Sequence, residues 1–256
     1  MPRIPTRSIL PALLLVALLS DPAVGQDRRP VQVDDLLSLQ EVGPPQVSPD
    51  GAWIAYTVTT TSLEKEKSFT RVWMVSAQGG EPLPMTAEET DASSPRWSPD
   101  GRWLSFLASR NEGKTQVWAL DRRGGEAQAL TDVEQGVSDY RWSPDGTRLL
   151  LAIRDPEPEK EGEEKKEDAP RDPWVITRLQ FKRDYQGYLT GDRHTHLYVF
   201  DVATRKTTQI TSGDHDESSP VWSPDGTKVA FVANRTENPD GNANTDIWVV
   251  AADNTD

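Results

Sequence analysis

The stretch YRWSPDGTRLLLAI, Tyr140 to Ile153, places a tryptophan, a proline, an acid and a glycine in a tight knot just ahead of an apolar run. Ser143 and Asp145 stand in it like a nucleophile and a carboxylate, so it is either a site or a turn. Repetition decides between them. VSPDG begins at Val47 and WSPDG at Trp97, Trp142 and Trp222, with serines at 48, 98, 143 and 223 and intervals of 50, 45 and 80 residues. A second motif keeps the same phase: TRVWMVSAQGGEPLPMT from Thr70, TQVWALDRRGGEAQALT from Thr115, THLYVFDVATRKTTQIT from Thr195 and TDIWVVAADNTD from Thr245. Two independent motifs in one phase define a true repeat.

The knot has turn chemistry. Proline presets φ near −65°, aspartate accepts local backbone donors, and glycine takes the positive φ that leads into the next strand. All four copies need these roles equally, whereas a catalytic site is expected once. Ser143 and Asp145 are therefore read as structural, with Trp142 a packing anchor beside them.

Each unit continues with an alternating run such as RWLSFLAS or TKVAFVAN, a polar loop, the Trp or Tyr strand, a turn that is Gly-rich in two copies, and a short strand ending in Thr. Alternation bounded by Gly, Pro, Asn and Asp marks strands and hairpins. Four strands in about 45 residues make one propeller blade. The expected fold is all-β, a partial β-propeller of about four WSPDG-type (TolB-like) four-stranded blades. Eight of the nine tryptophans, all but Trp174, fall at repeat positions and are assigned to blade-to-blade packing.

The ends and the long interval are different in composition. Residues 1–25 combine Arg3 and Arg7, a mostly apolar run from Ile9 to Leu19, and small residues Ala23 and Gly25 before Gln26. That pattern predicts a secretory signal peptide whose apolar core is too short to span a bilayer. Residues 26–256 then form an incomplete propeller, secreted or periplasmic, with no membrane association after cleavage. The 80-residue interval holds a Glu- and Lys-dominated insertion at 154–173 without large apolar residues, expected to be a flexible loop. The aromatic and β-branched segment after it predicts an extra hairpin.

The net charge of −13 excludes a nucleic-acid binder, which needs a basic face. The chain has no cysteine, hence no disulfide framework. It has no G-x-S-x-G elbow, no H-E-x-x-H and no phosphate-cradling loop. His194 and His196 share one side of a strand, as two metal ligands would, but no third ligand is near in sequence. Asp214, His215 and Asp216 in SGDHDESSP carry ligand atoms where each blade needs a polar link to the next, and the turn reading is preferred. No catalytic, cofactor-binding or metal-binding residue is assigned, and no cofactor is expected.

The WSPDG repeat with RWLSFLASR and TKVAFVANR, the opening VDDLLSLQEVGPPQVSPDGAWIAYTV, and the LQFKRDYQGYL…HLYVFDV segment resemble the N-terminal propeller of prolyl oligopeptidase family serine peptidases, in the dipeptidyl-peptidase and acylaminoacyl-peptidase branch. The resemblance runs from about Val33 to Asp256. It implies a propeller that filters peptide substrates by size above an α/β-hydrolase domain carrying a Ser-Asp-His triad. That triad's motif is absent here, so the chain is expected to be inactive alone, with a peptide substrate belonging to the full-length protein. The fourth Trp strand runs into AADNTD where other copies have a closing turn and strand, which suggests an incomplete product with open blade edges and self-association through them. Two alternatives stay open: a TolB-like periplasmic protein-binding propeller, and the propeller of another hydrolase such as an amidohydrolase.

Overall fold

The structure is a computed structural model that describes residues 29–110, 113–156, 176, 178–183, 187–188 and 193–254. The signal segment at 1–25 and residues 157–173 of the insertion lie outside the described residues. The described chain is built of strands apart from one short helix, α1 (Val33–Ser38). Among the described residues no helix is long and apolar enough to cross a membrane.

Four antiparallel sheets follow one another along the chain, each a predicted blade. The first contains β1 (Glu41–Val42), β2 (Gln46–Val47), β3 (Trp53–Ser62), β4 (Lys67–Ser76) and β5 (Leu83–Pro84), in the order β1-β3-β4-β5 with β2 also on β3. The second is β6 (Ala92–Trp97), β7 (Trp103–Ala108), β8 (Gln116–Asp121) and β9 (Gln128–Ala129), in chain order. The third is β10 (Asp139–Trp142) and β11 (Arg148–Arg154), then β14 (Thr195–Asp201) and β15 (Thr207–Gln209). Between its halves lies the predicted extra hairpin, β12 (Lys182–Arg183) against β13 (Gly187–Tyr188). The fourth is β16 (Glu217–Trp222), β17 (Lys228–Ala233) and β18 (Asp246–Ala251). Arg154, the first residue of the predicted insertion, is the last residue of β11 and pairs with Thr195, so strand regularity reaches one residue further than composition suggested.

The strand that carries the SPDG motif comes first in each of the last three blades, and these strands converge. β2 touches β6, β6 touches β10 and β10 touches β16, so they lie innermost while later strands fan outward. Antiparallel order then puts the SPDG turns and the turns that follow the third strands at one end of the blades. The loops between second and third strands, and the links between blades, gather at the other end.

Each blade has a leading face toward its predecessor and a trailing face toward its successor, because side chains alternate along a strand. At the first seam Ala55, Val72 and Met74 pack against Trp97, Leu104 and Phe106. At the second, Leu107 and Val117 meet Tyr140, Leu149 and Leu151. At the third, Leu150, Leu197 and Val199 meet Val229, Phe231 and Ala233. Each fully buried large side chain contributes about 1.5–3 kcal/mol. Among the described residues no core cluster joins the first blade to the fourth.

The tryptophans of the repeat add direction to these seams. Trp97 Nε1–H donates to the Gln46 carbonyl at 3.0 Å and Trp222 Nε1–H to the Arg141 carbonyl at 3.3 Å, both across to the preceding blade. Trp142 instead donates to the buried Ser105 hydroxyl at 2.8 Å. The packing role expected for these residues is therefore joined by a hydrogen bond that orients one blade on the next.

Candidate functional site

The SPDG serines are closed off by their own turns. Ser48, Ser98, Ser143 and Ser223 each donate Oγ–H to the aspartate two residues on, at 2.5 Å, and each Oγ accepts a backbone N–H from the start of the next strand at 2.9 Å. The same aspartate oxygen also accepts one backbone N–H, as from Thr147 to Asp145 at 3.0 Å. Serine hydroxyl and backbone donors hold the Asp145 and Asp225 carboxyls down to about 2. Each Ser is thus bound to a carboxylate and a backbone amide, with no histidine in its network. This is a capped turn.

At the opposite end a polar position recurs in the third strand, one residue before the buried Val72, Val117 and Leu197. Arg71 donates to the Thr86 carbonyl at 3.0 Å, and Gln116 accepts from the Thr131 hydroxyl at 2.7 Å. His196 occupies the matching position in the third blade. The threonine that closes each unit has a separate role. Thr86, Thr131 and Thr211 accept the backbone N–H of Val72, Val117 and Leu197 at 3.1, 2.9 and 2.8 Å. The outermost strand is pinned where its ladder ends.

The third seam departs from this plan. Where the second and third blades carry Ala92 and Val137, the fourth carries Glu217, fully buried. Its Oε2 accepts from His196 Nδ1 at 2.8 Å and from the Thr211 hydroxyl at 3.2 Å, and its Oε1 accepts from Arg235 Nη2 at 3.2 Å. Arg235 also covers the Trp248 ring at 4.7 Å. Asp155 Oδ2 lies 3.6 Å from His196 Nε2 and accepts the His194 backbone N–H at 2.9 Å. A carboxylate, an imidazole and a guanidinium from two blades therefore meet in one buried cluster.

The structure adds partners to the sequence-based picture of the histidines, for which a surface or packing role is preferred over metal binding. His194 and His196 do sit together, with ring centroids 6.4 Å apart, but the fold brings Glu217 and Asp155 to His196 from positions distant in the chain. Among the described residues no group of three or more His, Asp or Glu side chains has the geometry to hold a metal ion. Asp216 accepts the Thr195 backbone N–H at 2.8 Å, a blade-to-blade link matched by Asp91 to Thr70 at 3.3 Å. The sequence signal for Glu217 was its break with the repeat, an acid where sister blades have Ala and Val.

Two features make this end the candidate functional face. The chain leaves the third blade between Asp155 and His194, beside the cluster. Its return is tied to the fourth blade's loop through Asp240, which accepts the backbone N–H groups of Gln180, at 2.8 Å, and Leu179. On the inner strands, Arg96 and Arg141 share the single carboxylate of Asp139, at 3.1 and 2.6 Å. Burial pushes the Asp139 carboxyl up, against the pull of Arg96.

The family described as the dipeptidyl peptidase IV (DPP IV) N-terminal region matches residues 179–236, the segment holding His196, Thr211, Glu217 and Arg235. The uncharacterized peptidase YuxL of Bacillus subtilis (strain 168) is 33% identical over 221 residues, covering 86% of this chain and 34% of that protein. The chain is a propeller related to the N-terminal domains of prolyl oligopeptidase-type peptidases. The acylaminoacyl peptidase of Pyrococcus horikoshii superposes with a TM-score of 0.62 at 19% identity, over 82% of this chain and 31% of that one. The propeller domain of the trilobed protease of Pyrococcus furiosus superposes with a TM-score of 0.50 at 15% identity, over 82% and 54%. At these identities the superpositions speak for the propeller fold alone. The propeller spans about a third of the length of YuxL and of the acylaminoacyl peptidase.

Proposed function

We propose that this propeller is the substrate-gating part of an exported serine peptidase that acts on short peptides, the chemistry being done by an α/β-hydrolase domain outside these residues. The single observation that carries the reading is the 33% identity to a peptidase across 86% of the chain. The arrangement of the blades supports it: the links between blades and the buried cluster at the third seam lie at one end, a face that can present selecting side chains to a substrate. Within the described residues the SPDG serines are occupied in turns, so the propeller contributes selection and positioning. Export rests on the basic, apolar and small-residue pattern of residues 1–25.

The test uses the longer gene product and this chain side by side. The longer protein should release chromophore from dipeptidyl or aminoacyl nitroanilides and take a fluorophosphonate label outside residues 29–254. This chain should do neither, and its exported form should begin near Gln26. Labelling of a serine within the chain, or hydrolysis of folded proteins as readily as of tetrapeptides, would overturn the reading.

A further inference from the structure

The innermost strands carry few charges. Along β6, β10 and β16 they are Arg96, Asp139, Arg141 and Glu217, and β2 has none. Glu217 is fully buried and held by His196 and Arg235 at the third seam. That leaves Arg96, Asp139 and Arg141, whose side chains stay 22%, 28% and 28% exposed. In a chain with a net charge of −13, two guanidiniums against one carboxylate give these inner strands a positive patch.

The repeat itself does not require either arginine. The residue before Val47 or the inner-strand Trp is Gln46, Arg96, Arg141 and Val221 in the four blades. A blade therefore forms with a neutral side chain at this position.

Both arginines reach a single oxygen. Asp139 Oδ1 accepts from Arg96 Nη2 at 3.1 Å, from Arg141 Nη1 at 2.6 Å and from the Tyr140 backbone N–H at 2.8 Å. Each guanidinium thus meets Asp139 through one nitrogen and not through the two-pronged edge that pairs best with a carboxylate. Arg96 Nε is buried without an acceptor among the described residues. The two groups are nonetheless held in place. Arg141 Nη1 also donates to the Tyr140 carbonyl at 2.9 Å, and the Arg96 guanidinium lies 5.5 Å from the centre of the Tyr140 ring. Tyr140 is fully buried, its hydroxyl bonded to Ser94 and Ser105. Positioned guanidiniums with spare donors and a net charge bind an anion without first having to order long side chains.

We propose that Arg96 and Arg141 form a binding site for a carboxylate of the peptide substrate, with Asp139 fixing the two guanidiniums beside each other. The choice of a peptide as ligand rests on the peptidase reading, whereas the carboxylate chemistry rests on the arginines. A C-terminus and an acidic side chain offer the planar fork the same group.

Arg96→Gln and Arg141→Gln each install the residue that the first blade carries as Gln46. The test is calorimetric titration of the longer gene product, treated with fluorophosphonate so that no peptide is consumed. Acetyl-trialanine with a free carboxylate is compared with its amide, and acetyl-Ala-Glu-Ala amide with acetyl-Ala-Gln-Ala amide. At least one carboxylate form should bind about tenfold or more tightly than its neutral partner. A difference in the first comparison assigns the C-terminus, and one in the second assigns an acidic side chain. Each single substitution should lower that ratio at least threefold, and the two together should bring it close to one, with melting temperatures near the parent's. Equal binding of charged and neutral peptides in both comparisons, or a ratio that survives both substitutions, would refute the site. Nitroanilide hydrolysis before treatment reports on the peptidase reading separately: its absence beside an intact carboxylate preference would remove the peptidase and keep the site.

Discussion

Gly146 turns its α-carbon toward the ring of Pro99 in the preceding blade, so that a Cβ built there would lie 3.5 Å from Pro99 Cδ. Gly101 faces Pro49 and Gly226 faces Pro144 in the same way, at 3.6 and 3.7 Å. The proline of one SPDG turn is thus the floor on which the glycine of the next is set, and the motif joins blades as well as strands.

Gly146 has φ of +72°, in the left-handed region that a β-branched residue resists. Gly146→Val should lower stability by about 2 kcal/mol or more, whereas Gly146→Asn, which tolerates that region, should cost about half as much. Thermal melting of the two variants against the parent measures this. Equal melting temperatures for all three would mean that the turn is not what holds the glycine.

The SPDG carboxylates give the chain an acid limit. The Asp145 and Asp225 carboxyls sit at about 2 in the folded chain, and those of Asp50 and Asp100 are also lowered, each first by its serine hydroxyl. In the unfolded chain they titrate near 3.9. A lowered folded value means stability that is fully present above about pH 4 and is lost as pH falls toward 2. Denaturant midpoints from pH 5 down to 2 should fall across that window, and Asp145→Asn combined with Asp225→Asn should make the fall shallower.

The buried cluster at the third seam should respond to one-sided and two-sided changes differently. Glu217→Ala leaves His196 and Arg235 without their acceptor and should cost roughly 3 kcal/mol. His196→Gln with Glu217→Val installs the residues that serve the second seam, Gln116 and Val137, and should recover much of that loss. Urea unfolding of the single and double variants provides the comparison. A double variant as unstable as Glu217→Ala would show that the pair is not interchangeable with its sister arrangement.

A smaller effect is expected at the second seam. The buried Tyr140 hydroxyl lies 2.9 Å from Ser105 Oγ and 3.0 Å from the Ser94 carbonyl oxygen, and Ser105 Oγ also accepts the Trp142 indole N–H. Tyr140→Phe should lower stability by about 1–2 kcal/mol without changing the fold. Its effect should shrink when measured in a Ser105→Ala background, which a double-mutant cycle resolves.

Much of this architecture was legible before any coordinates. The four blades, the structural role of Ser143 and Asp145, and the placing of Trp97, Trp142 and Trp222 between blades follow from repetition, and the extra hairpin at Lys182–Tyr188 from the aromatic and β-branched composition after the insertion. What repeats in phase must do the same local job in every copy. The seam cluster was not legible in that way. His196 was visible as a histidine on a strand, but Asp155 and Glu217 meet it from far along the chain on either side. The clue was Glu217 standing at an alanine and valine position.

The amino-acid sequence alone determined the blade: its turn chemistry, alternation and period are local, and φ preferences and side-chain alternation act within a few residues. Only the tertiary structure decided how blades meet. It set Pro99 under Gly146, joined Tyr140 to Ser105, and closed a carboxylate, an imidazole and a guanidinium into one buried cluster. Such pairings depend on the angle and offset between sheets, which packing of whole faces selects and which no short stretch of chain encodes.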